Sequence, residues 1–290
     1  MADDRPPIAT DLVLTASDGA TLLARLWSGP KPRGVLLIAH GFGEHGGSYR
    51  HVAEALVRSP GVDVLAFDFR GHGRSGGRRG VVRRHADLTL DLAAAVAWAK
   101  AERPGLPRFV LGHSNGGLVA IGAVLGRDLG LAGLILSNPS LRLTADAPAW
   151  KLMVGRVLLR LAPWVTLDAG ISDSDLTHDP EALAAIVVDP LRHSRISPPF
   201  FFGMTAAGPE ALARAGEIRL PTLVILGESD PITDPAAGRH FFDRLASPDK
   251  ALEAYPEMRH EPLNEVGREA VIGDIGRWIG ERLRGPDDQA

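Results

Sequence analysis

The sequence predicts an α/β fold, in which helices cover both faces of a mostly parallel central sheet. Short continuous apolar runs recur along the chain, as expected of strands that are buried on both faces. Segments with helical apolar spacing alternate with these runs, which is the order of a parallel sheet with crossover helices. The alternation breaks between about residues 141 and 214. That break predicts a helical insertion in the core fold.

The elements are predicted in chain order from these patterns. Two alternating runs flank the turn residues Ser17, Asp18 and Gly19 and predict an antiparallel hairpin over residues 11–15 and 21–27. Buried strands are then predicted at 35–39, 62–67, 108–111, 131–136 and 222–226, with a weaker one at 251–255. Core helices are predicted at 48–58, 87–101, 115–126, 236–245 and 265–283.

Three segments make up the predicted domain organisation. Residues 1–140 and 215–290 form the two parts of the core, and residues 141–214 form a helical cap over the C-terminal edge of the sheet. Within the cap, residues 150–165 combine apolar and basic positions and predict an amphipathic helix. The last residues, 285–290, are expected to be a frayed terminus.

Composition narrows the classes of function. The 290 residues include 32 Lys and Arg against 35 Asp and Glu, a net charge of −3, which argues against nucleic acid as a partner. Cysteine is absent, so disulfides, thiolate metal sites and cysteine nucleophiles are excluded. The acidic N-terminus lacks the apolar stretch of a signal peptide, and no run reaches the ~20 apolar residues that span a bilayer. These features predict a cytoplasmic protein that acts on small molecules or lipids.

A nucleophile elbow is predicted at Gly112-His113-Ser114-Asn115-Gly116. The G-x-S-x-G pattern is short, but here it follows a buried strand and precedes a helical segment, which is the setting of a catalytic serine in an α/β-hydrolase. Its glycines let neighbouring chain pass close to the turn. Ser114 is therefore the predicted nucleophile, and the alternative is a glycine-rich turn with an incidental helix-capping serine.

A serine hydroxyl needs an adjacent base, and in this fold the chain order is Ser, then Asp or Glu, then His. Four histidines follow Ser114. Two of them, His178 and His193, lie in the predicted cap, and His240 lies inside a helix. His260 follows the last predicted strand, so its loop can reach the sheet edge, and it is the predicted base.

The acid that orients the base is sought in the loop Gly227-Glu228-Ser229-Asp230-Pro231, which leaves the C-terminal end of a buried strand. Asp230 is the leading candidate. Its role is to hold the imidazole tautomer and to stabilise the imidazolium. Glu228 and Asp234 are nearby alternatives, which can equally be an exposed loop charge or a helix cap.

The oxyanion donors are predicted from two loops. The amide of Asn115 begins a helix, where its N–H is free. The loop after residue 39 should supply the second N–H, and Phe42 is the predicted donor. The same loop also matches G-x-G-x-x-G through Gly41, Gly43 and Gly46. With Asp68 at the end of the next strand, it resembles a dinucleotide-binding fingerprint, which is the strongest competing interpretation.

A metal site is a further alternative in this loop, since His40, Glu44 and His45 are candidate ligands. Three such residues in one tight loop are more typical of hydrogen-bonding supports. The dinucleotide interpretation also leaves Ser114, Asp230 and His260 unexplained. The sequence is therefore expected to need no cofactor and no metal.

With these residues identified, the chain resembles the monoacylglycerol lipase and lysophospholipase family of α/β-hydrolases over nearly its whole length. The resemblance implies the triad Ser114, Asp230 and His260, an oxyanion hole formed by the Phe42 and Asn115 amides, and a mobile cap over an acyl tunnel. It rests on His40-Gly-Phe-Gly-Glu-His45, Asp68-Phe-Arg-Gly-His-Gly-Arg-Ser75, Gly112-His-Ser-Asn-Gly-Gly117 and Tyr255-Pro-Glu-Met-Arg-His-Glu261.

Two positions depart from the family pattern. Asn115 stands where the family usually has Met, and because only its backbone N–H is needed, catalysis should survive. Ser48 stands before Tyr49 where the family usually has Arg, so recognition of a glycerol head group does not follow from the resemblance.

The resulting hypothesis is a carboxylic ester hydrolase that works through an acyl-enzyme on monoacylglycerols or related single-chain lipid esters. A transient contact of the cap with a membrane surface is expected as well. The alternatives are a small-molecule carboxylesterase, an acyltransferase or a cofactor-free perhydrolase with the same triad, and a non-catalytic binding module. The sequence makes no prediction of oligomeric state.

Overall fold

Ten strands and eight α-helices lie in the residues that the computed structural model describes, which are 7–145 and 147–283. The strands are β1 (Ile8–Thr15), β2 (Thr21–Ser28), β3 (Val35–Ala39), β4 (Asp63–Phe67), β5 (Arg108–His113), β6 (Gly133–Ser137), β7 (Leu167–Asp168), β8 (Arg195–Ile196), β9 (Thr222–Gly227) and β10 (Lys250–Tyr255). The helices are α1 (Arg50–Arg58), α2 (Leu88–Glu102), α3 (Asn115–Gly126), α4 (Ala149–Leu161), α5 (Pro180–Val188), α6 (Pro198–Arg214), α7 (Pro235–Arg244) and α8 (Arg268–Arg282).

Eight of these strands form one sheet in the order β1-β2-β4-β3-β5-β6-β9-β10. Strand β2 runs antiparallel to its neighbours β1 and β4, and the other neighbouring pairs are parallel. The predicted hairpin and the predicted mostly parallel sheet are both confirmed. Every residue of β3, β4, β6 and β9 is buried, which explains why these strands are continuous apolar runs in the sequence.

Helices cover both faces of the sheet, as predicted. Leu36 and Ile38 of β3 pack with apolar residues of α1 and α8. Leu37, between them, points to the other face and packs with residues of α2, α3 and α7. The sheet is therefore packed against helices on both of its faces.

The segment between β6 and β9 contains α4, α5, α6 and a two-stranded ladder formed by β7 and β8. The sequence gives no strong strand signal here, because strands of two residues are too short to leave a periodic pattern. The helix predicted over 150–165 ends at Leu161, since the residue before Pro163 is disfavoured in helical conformation. The division into core and cap stays a prediction.

Other element boundaries differ from the predicted ones by a few residues. A 3₁₀ turn occupies Gly46–Tyr49, so α1 begins later than predicted, and α8 begins only after Gly267, whose φ is 81°. The predicted terminal segment 285–290 lies outside the described residues. In residues 7–145 and 147–283, none of the helices has the length and apolarity required to cross a bilayer.

Candidate active site

Ser114 occupies a sharp turn between β5, which ends at His113, and α3, which begins at Asn115. Its backbone has φ 51° and ψ −120°, a conformation that is strained for a residue with a side chain. A Cβ on Gly116 would lie 2.1 Å from the Ala39 carbonyl oxygen. The turn therefore requires glycine there, and the structure contains the strand–turn–helix setting that the sequence predicted.

The side chains of Ser114, His260 and Asp230 lie in one hydrogen-bonded row. His260 Nε2 is 2.9 Å from Ser114 Oγ, and His260 Nδ1 is 2.7 Å from Asp230 Oδ2. All three residues are buried, with exposed fractions of 6%, 4% and 6% respectively. Because a carboxylate only accepts, Nδ1 carries the ring proton. Nε2 then accepts the hydrogen bond from the Ser114 hydroxyl, as a general base must.

Four further donors hold the Asp230 carboxylate. The backbone N–H groups of Ile232 and Thr233 donate to Oδ1 at 2.7 and 3.0 Å. The Thr233 hydroxyl and the Asn138 side-chain amide donate to Oδ2 at 2.6 and 2.9 Å. Burial works to raise the pKa of Asp230, but the charge and hydrogen bonds of His260 and Thr233 outweigh it and lower that pKa. The carboxylate is therefore ionised and fixed in orientation.

The two alternative acids are engaged elsewhere. Glu228 pairs with Arg239 on the surface. Asp234 accepts the Ala236 N–H at 2.8 Å, which caps α7, and binds Arg142. A surface charge and a helix cap are the alternative roles that the sequence allowed for these residues, and neither carboxylate lies in the row with His260.

His260 has an electrostatic environment that favours its protonated form. Burial opposes a charged imidazole, but Asp230, followed by Glu261 and Glu44, outweighs this and raises the pKa of His260. The other candidate bases are placed differently. His178 binds Glu265 at 2.9 Å, His193 stacks edge-on against Phe42, and His240 is exposed on α7.

The loop after β3 lies directly beside Ser114. A Cβ on Gly41 would be 3.2 Å from Ser114 Cβ. Within residues 7–145 and 147–283, the N–H groups of Phe42 and Asn115 have no hydrogen-bond acceptor. Two backbone donors without an acceptor among the described residues thus belong to the two segments that meet at Ser114.

The glycine motif of this loop is not arranged as a dinucleotide site requires. Gly46 starts a 3₁₀ turn and α1 begins only at Arg50, so the motif does not lead directly into a helix N-terminus. Asp68 accepts the N–H groups of Gly46 and Arg74, each at 2.7 Å. Its carboxylate therefore holds protein loops together.

The three candidate metal ligands of the loop have protein partners. His40 Nδ1 donates to the Gly41 carbonyl at 2.7 Å. Glu44 accepts the Tyr49 hydroxyl at 2.8 Å, and His45 Nε2 lies 2.7 Å from an oxygen of Asp189. These residues support the loop, and the Asp189 contact ties it to the segment between β6 and β9.

Sequence reasoning missed two residues of the site, Asn138 and Ser140, which follow the C-terminal end of β6. Asn138 has φ 40° and donates to the His260 carbonyl at 3.1 Å as well as to Asp230. Ser140 Oγ lies 3.0 Å from Ser114 Oγ. Since the Ser114 proton is directed to His260, Ser140 is the donor in this pair. The sequence feature that could have indicated Asn138 and Ser140 is the short polar run directly after β6, the buried strand next to β5 in the sheet.

A buried charged cluster lies beside the triad and consists of Glu44, Tyr49, Arg192 and Glu261. Arg192 donates to Glu261 at 2.6 Å, and Glu261 directly follows His260 in the chain. Burial and the charge of Glu261 raise the pKa of Glu44 to about 7. Burial also opposes ionisation of Glu261, but Arg192 outweighs it and lowers the Glu261 pKa. The cluster gives one wall of the site a polar character.

A cavity of about 340 Å³ opens onto Ser114 and His260. Glu44, Arg192 and Glu261 lie on its polar side. Its remaining wall comes mostly from the segment between β6 and β9 and mixes apolar residues with the polar residues Ser140, Asp168, Asp173, Asp189, His193 and Ser194. The apolar lining residues are Phe42, Leu143, Ile171, Leu176, Ile186, Val187, Met204 and Ile232.

Ser48 lies outside the lining of this cavity. It lines a neighbouring one of about 540 Å³ between the start of α1 and α5. Both cavities share Ile186, Asp189 and Arg192 in their walls. Ser48 is therefore separated from Ser114 by residues of the segment between β6 and β9.

Comparison with known proteins identifies the family. A family model described as "Serine aminopeptidase, S33" matches residues 30–267, most of the chain. The chain belongs to this family of serine hydrolases. As a member of it, the protein is an enzyme, and its sheet and helices are those of an α/β-hydrolase.

Individual members of the family are similar over nearly their full lengths. The monoacylglycerol lipase of Mycolicibacterium smegmatis is 34% identical over 269 residues, which cover 91% of this chain and 95% of that protein. Phospholipase YtpA of Bacillus subtilis is 30% identical over 248 residues, covering 85% and 95%. The crystal structure of Paleococcus ferrophilus monoacylglycerol lipase superposes with a TM-score of 0.81 at 29% identity, covering 90% of this chain and 99% of that one. The resemblance inferred from four motifs is confirmed.

Proposed function

We propose that this serine hydrolase cleaves carboxylic esters through an acyl-enzyme on Ser114. The observation that carries the proposal is the buried row from Ser114 Oγ through His260 to Asp230, with the unoccupied Phe42 and Asn115 N–H groups in the adjoining loops. A nucleophile, a base, an orienting acid and oxyanion donors are the parts that acyl transfer needs. The chemistry of these groups requires no cofactor.

The reaction follows from the hydrogen bonds. Ser114 Oγ attacks the ester carbonyl carbon while its proton moves to His260 Nε2, and the carbonyl oxygen becomes an anion held by the Phe42 and Asn115 amides. Collapse of this intermediate breaks the bond to the alcohol oxygen, which leaves with the proton from His260. Water then attacks the acyl carbon and gives a proton to His260. Collapse of this second intermediate breaks the bond to Ser114 Oγ, which takes that proton from His260 as the carboxylic acid is released. Asp230 stabilises the imidazolium in both steps.

The proposed substrates are monoacylglycerols or related single-chain lipid esters. The apolar residues that line the 340 Å³ cavity suit an alkyl chain, and the charged residues Glu44, Arg192 and Glu261 suit a head group rich in hydroxyls. The relatives named as monoacylglycerol lipases point to the same substrate class. We propose residues 141–214 as the cap that supplies most of the apolar lining residues.

A chain-length series tests this proposal. Purified protein is expected to hydrolyse medium-chain monoacylglycerols and nitrophenyl esters with kcat/KM at least about tenfold above the acetate ester, because each buried CH₂ contributes about 0.8 kcal/mol. A preference for acetate would indicate a small-molecule esterase. Transfer of the acyl group to an alcohol or to peroxide, measured by product analysis, would indicate an acyltransferase or a perhydrolase.

We also propose that α4 makes a transient contact with a lipid surface. Trp150, Met153, Val157 and Leu161 lie at helical spacing on α4 and are 62%, 63%, 52% and 73% exposed. Basic side chains at Lys151, Arg156 and Arg160 interleave with this stripe, as in helices that lie in a membrane interface. A location in the cytoplasm stays a prediction.

Removing the stripe is expected to weaken the contact. The double variant Met153→Ser, Val157→Ser should reduce sedimentation with phosphatidylcholine–phosphatidylglycerol vesicles by about tenfold, since less apolar area enters the interface. Its kcat on a water-soluble nitrophenyl ester should stay the same. The control is Val13→Ser, which removes a similarly exposed apolar side chain from β1. Equal vesicle binding by both variants and the native protein would contradict the contact.

A further inference from the structure

We propose that His85 is a positioning residue for the oxyanion site, because its hydrogen bond holds the Asn115 side chain away from the free N–H groups at the start of α3. Neither the motifs nor the family resemblance points to this residue. The inference rests on the proposed acyl-enzyme function, and it explains how an asparagine is tolerated directly after the nucleophile.

The contact joins two buried side chains. His85 Nε2 lies 2.8 Å from Asn115 Oδ1, and the two residues are 7% and 1% exposed. Burial lowers the pKa of His85, so the imidazole is neutral and carries one N–H. A carbonyl oxygen only accepts, so that proton is on Nε2 and is donated to Asn115.

An unrestrained carboxamide at this position would compete with the substrate. Asparagine side chains readily accept hydrogen bonds from nearby backbone N–H groups, above all at helix N-termini. Asn115 is the first residue of α3, where the backbone N–H groups have no intrahelical acceptor. A carbonyl oxygen that turned towards these groups would bring partial negative charge to the place where the oxyanion forms. The hydrogen bond to His85 satisfies that oxygen elsewhere.

Helix α6 fixes the position of His85. A Cβ on Gly203 would lie 2.7 Å from His85 Cβ, so the backbone of α6 packs directly against the histidine. The ring of Phe200, also on α6, has its centroid 6.2 Å from that of His85 with an angle of 31° between the planes. His85 is thus held between α6 and the nucleophile turn, and its ring has little freedom to leave Asn115.

A double-mutant cycle tests the inference. His85→Phe keeps a planar ring but removes the N–H donor. It should lower kcat about tenfold and leave KM nearly unchanged. This loss is smaller than the ~10²–10³-fold loss in kcat that follows deletion of an oxyanion donor. Binding of a trifluoromethyl ketone, which forms an oxyanion on the serine, should weaken in parallel. His85→Gln, which keeps an N–H donor, should recover most of the activity.

The second arm removes the competing carboxamide. In an Asn115→Met background, residue 115 has no strong acceptor, so adding His85→Phe should change kcat less than about twofold. A structural role of His85 would instead give the same loss in both backgrounds, and that outcome would overturn the inference. If the native protein shows no ester hydrolysis that depends on Ser114, the proposed function fails. If the native protein shows such hydrolysis and His85→Phe has the same kcat, only the inference about His85 fails.

Discussion

The Ser114→Ala variant is expected to lose kcat for ester hydrolysis by at least about 10⁴-fold, because no group replaces the nucleophile while the remaining site still binds substrate. Ser114 Oγ is the atom that His260 Nε2 contacts at 2.9 Å, and the methyl of alanine offers neither a proton nor a lone pair. The melting temperature should not fall, since the change removes one hydroxyl and no packed apolar group. Stopped assays with a nitrophenyl ester measure the loss.

Ser140→Ala is the matched control for this prediction. Its hydroxyl is also buried at the site and lies 3.0 Å from Ser114 Oγ, but it only donates to the nucleophile. A loss within about tenfold is expected, typical of one supporting hydrogen bond. If Ser140→Ala were inactive and Ser114→Ala retained activity, the nucleophile would be misassigned.

The Asp230→Asn variant is expected to lose about 10⁴-fold in kcat, because an amide cannot fix the Nδ1–H tautomer of His260 or stabilise its positive charge. The carboxylate raises the pKa of His260, and the free base is the active form. In the native protein, activity therefore rises with pH as His260 loses its proton. Without the carboxylate the pKa of His260 falls, so the residual activity should begin its rise at lower pH.

Glu228→Gln is the control for Asp230, since it removes a carboxylate from the same loop that pairs with Arg239 on the surface. Its activity and pH profile should match those of the native protein. Loss of activity in Glu228→Gln with retention in Asp230→Asn would instead identify Glu228 as the acid.

The nucleophile turn and its two triad partners could be predicted because each depends on a recognisable sequence pattern. The strand before Ser114 and the helix after it follow from neighbouring residues, and Asp230 and His260 follow from their positions after strand ends and from the chain order of the fold. The further side chains that contact the nucleophile turn could not be predicted in this way. Ser140 and His85 contact the nucleophile turn from sequence distances of 26 and 30 residues, and neither belongs to a motif. Only the packing of β6 and of the turn before α2 against β5 and α3 brings them there.

The segment between β6 and β9 was the least predictable part of the fold. Strands β7 and β8 have two residues each, which gives no measurable period. On α4, Trp150 and Met153 are exposed although their spacing equals that of a buried face. Amphipathic patterning identifies a helix and one of its faces, but it does not tell whether that face meets a core or a lipid surface.

The most direct measurement is the site of covalent modification by a fluorophosphonate. Intact mass spectrometry followed by peptide mapping is predicted to find one adduct per chain, on Ser114, formed in parallel with loss of esterase activity and abolished by Ser114→Ala. An adduct on another residue, or full inactivation without modification of Ser114, would contradict the acyl-enzyme assigned to this site.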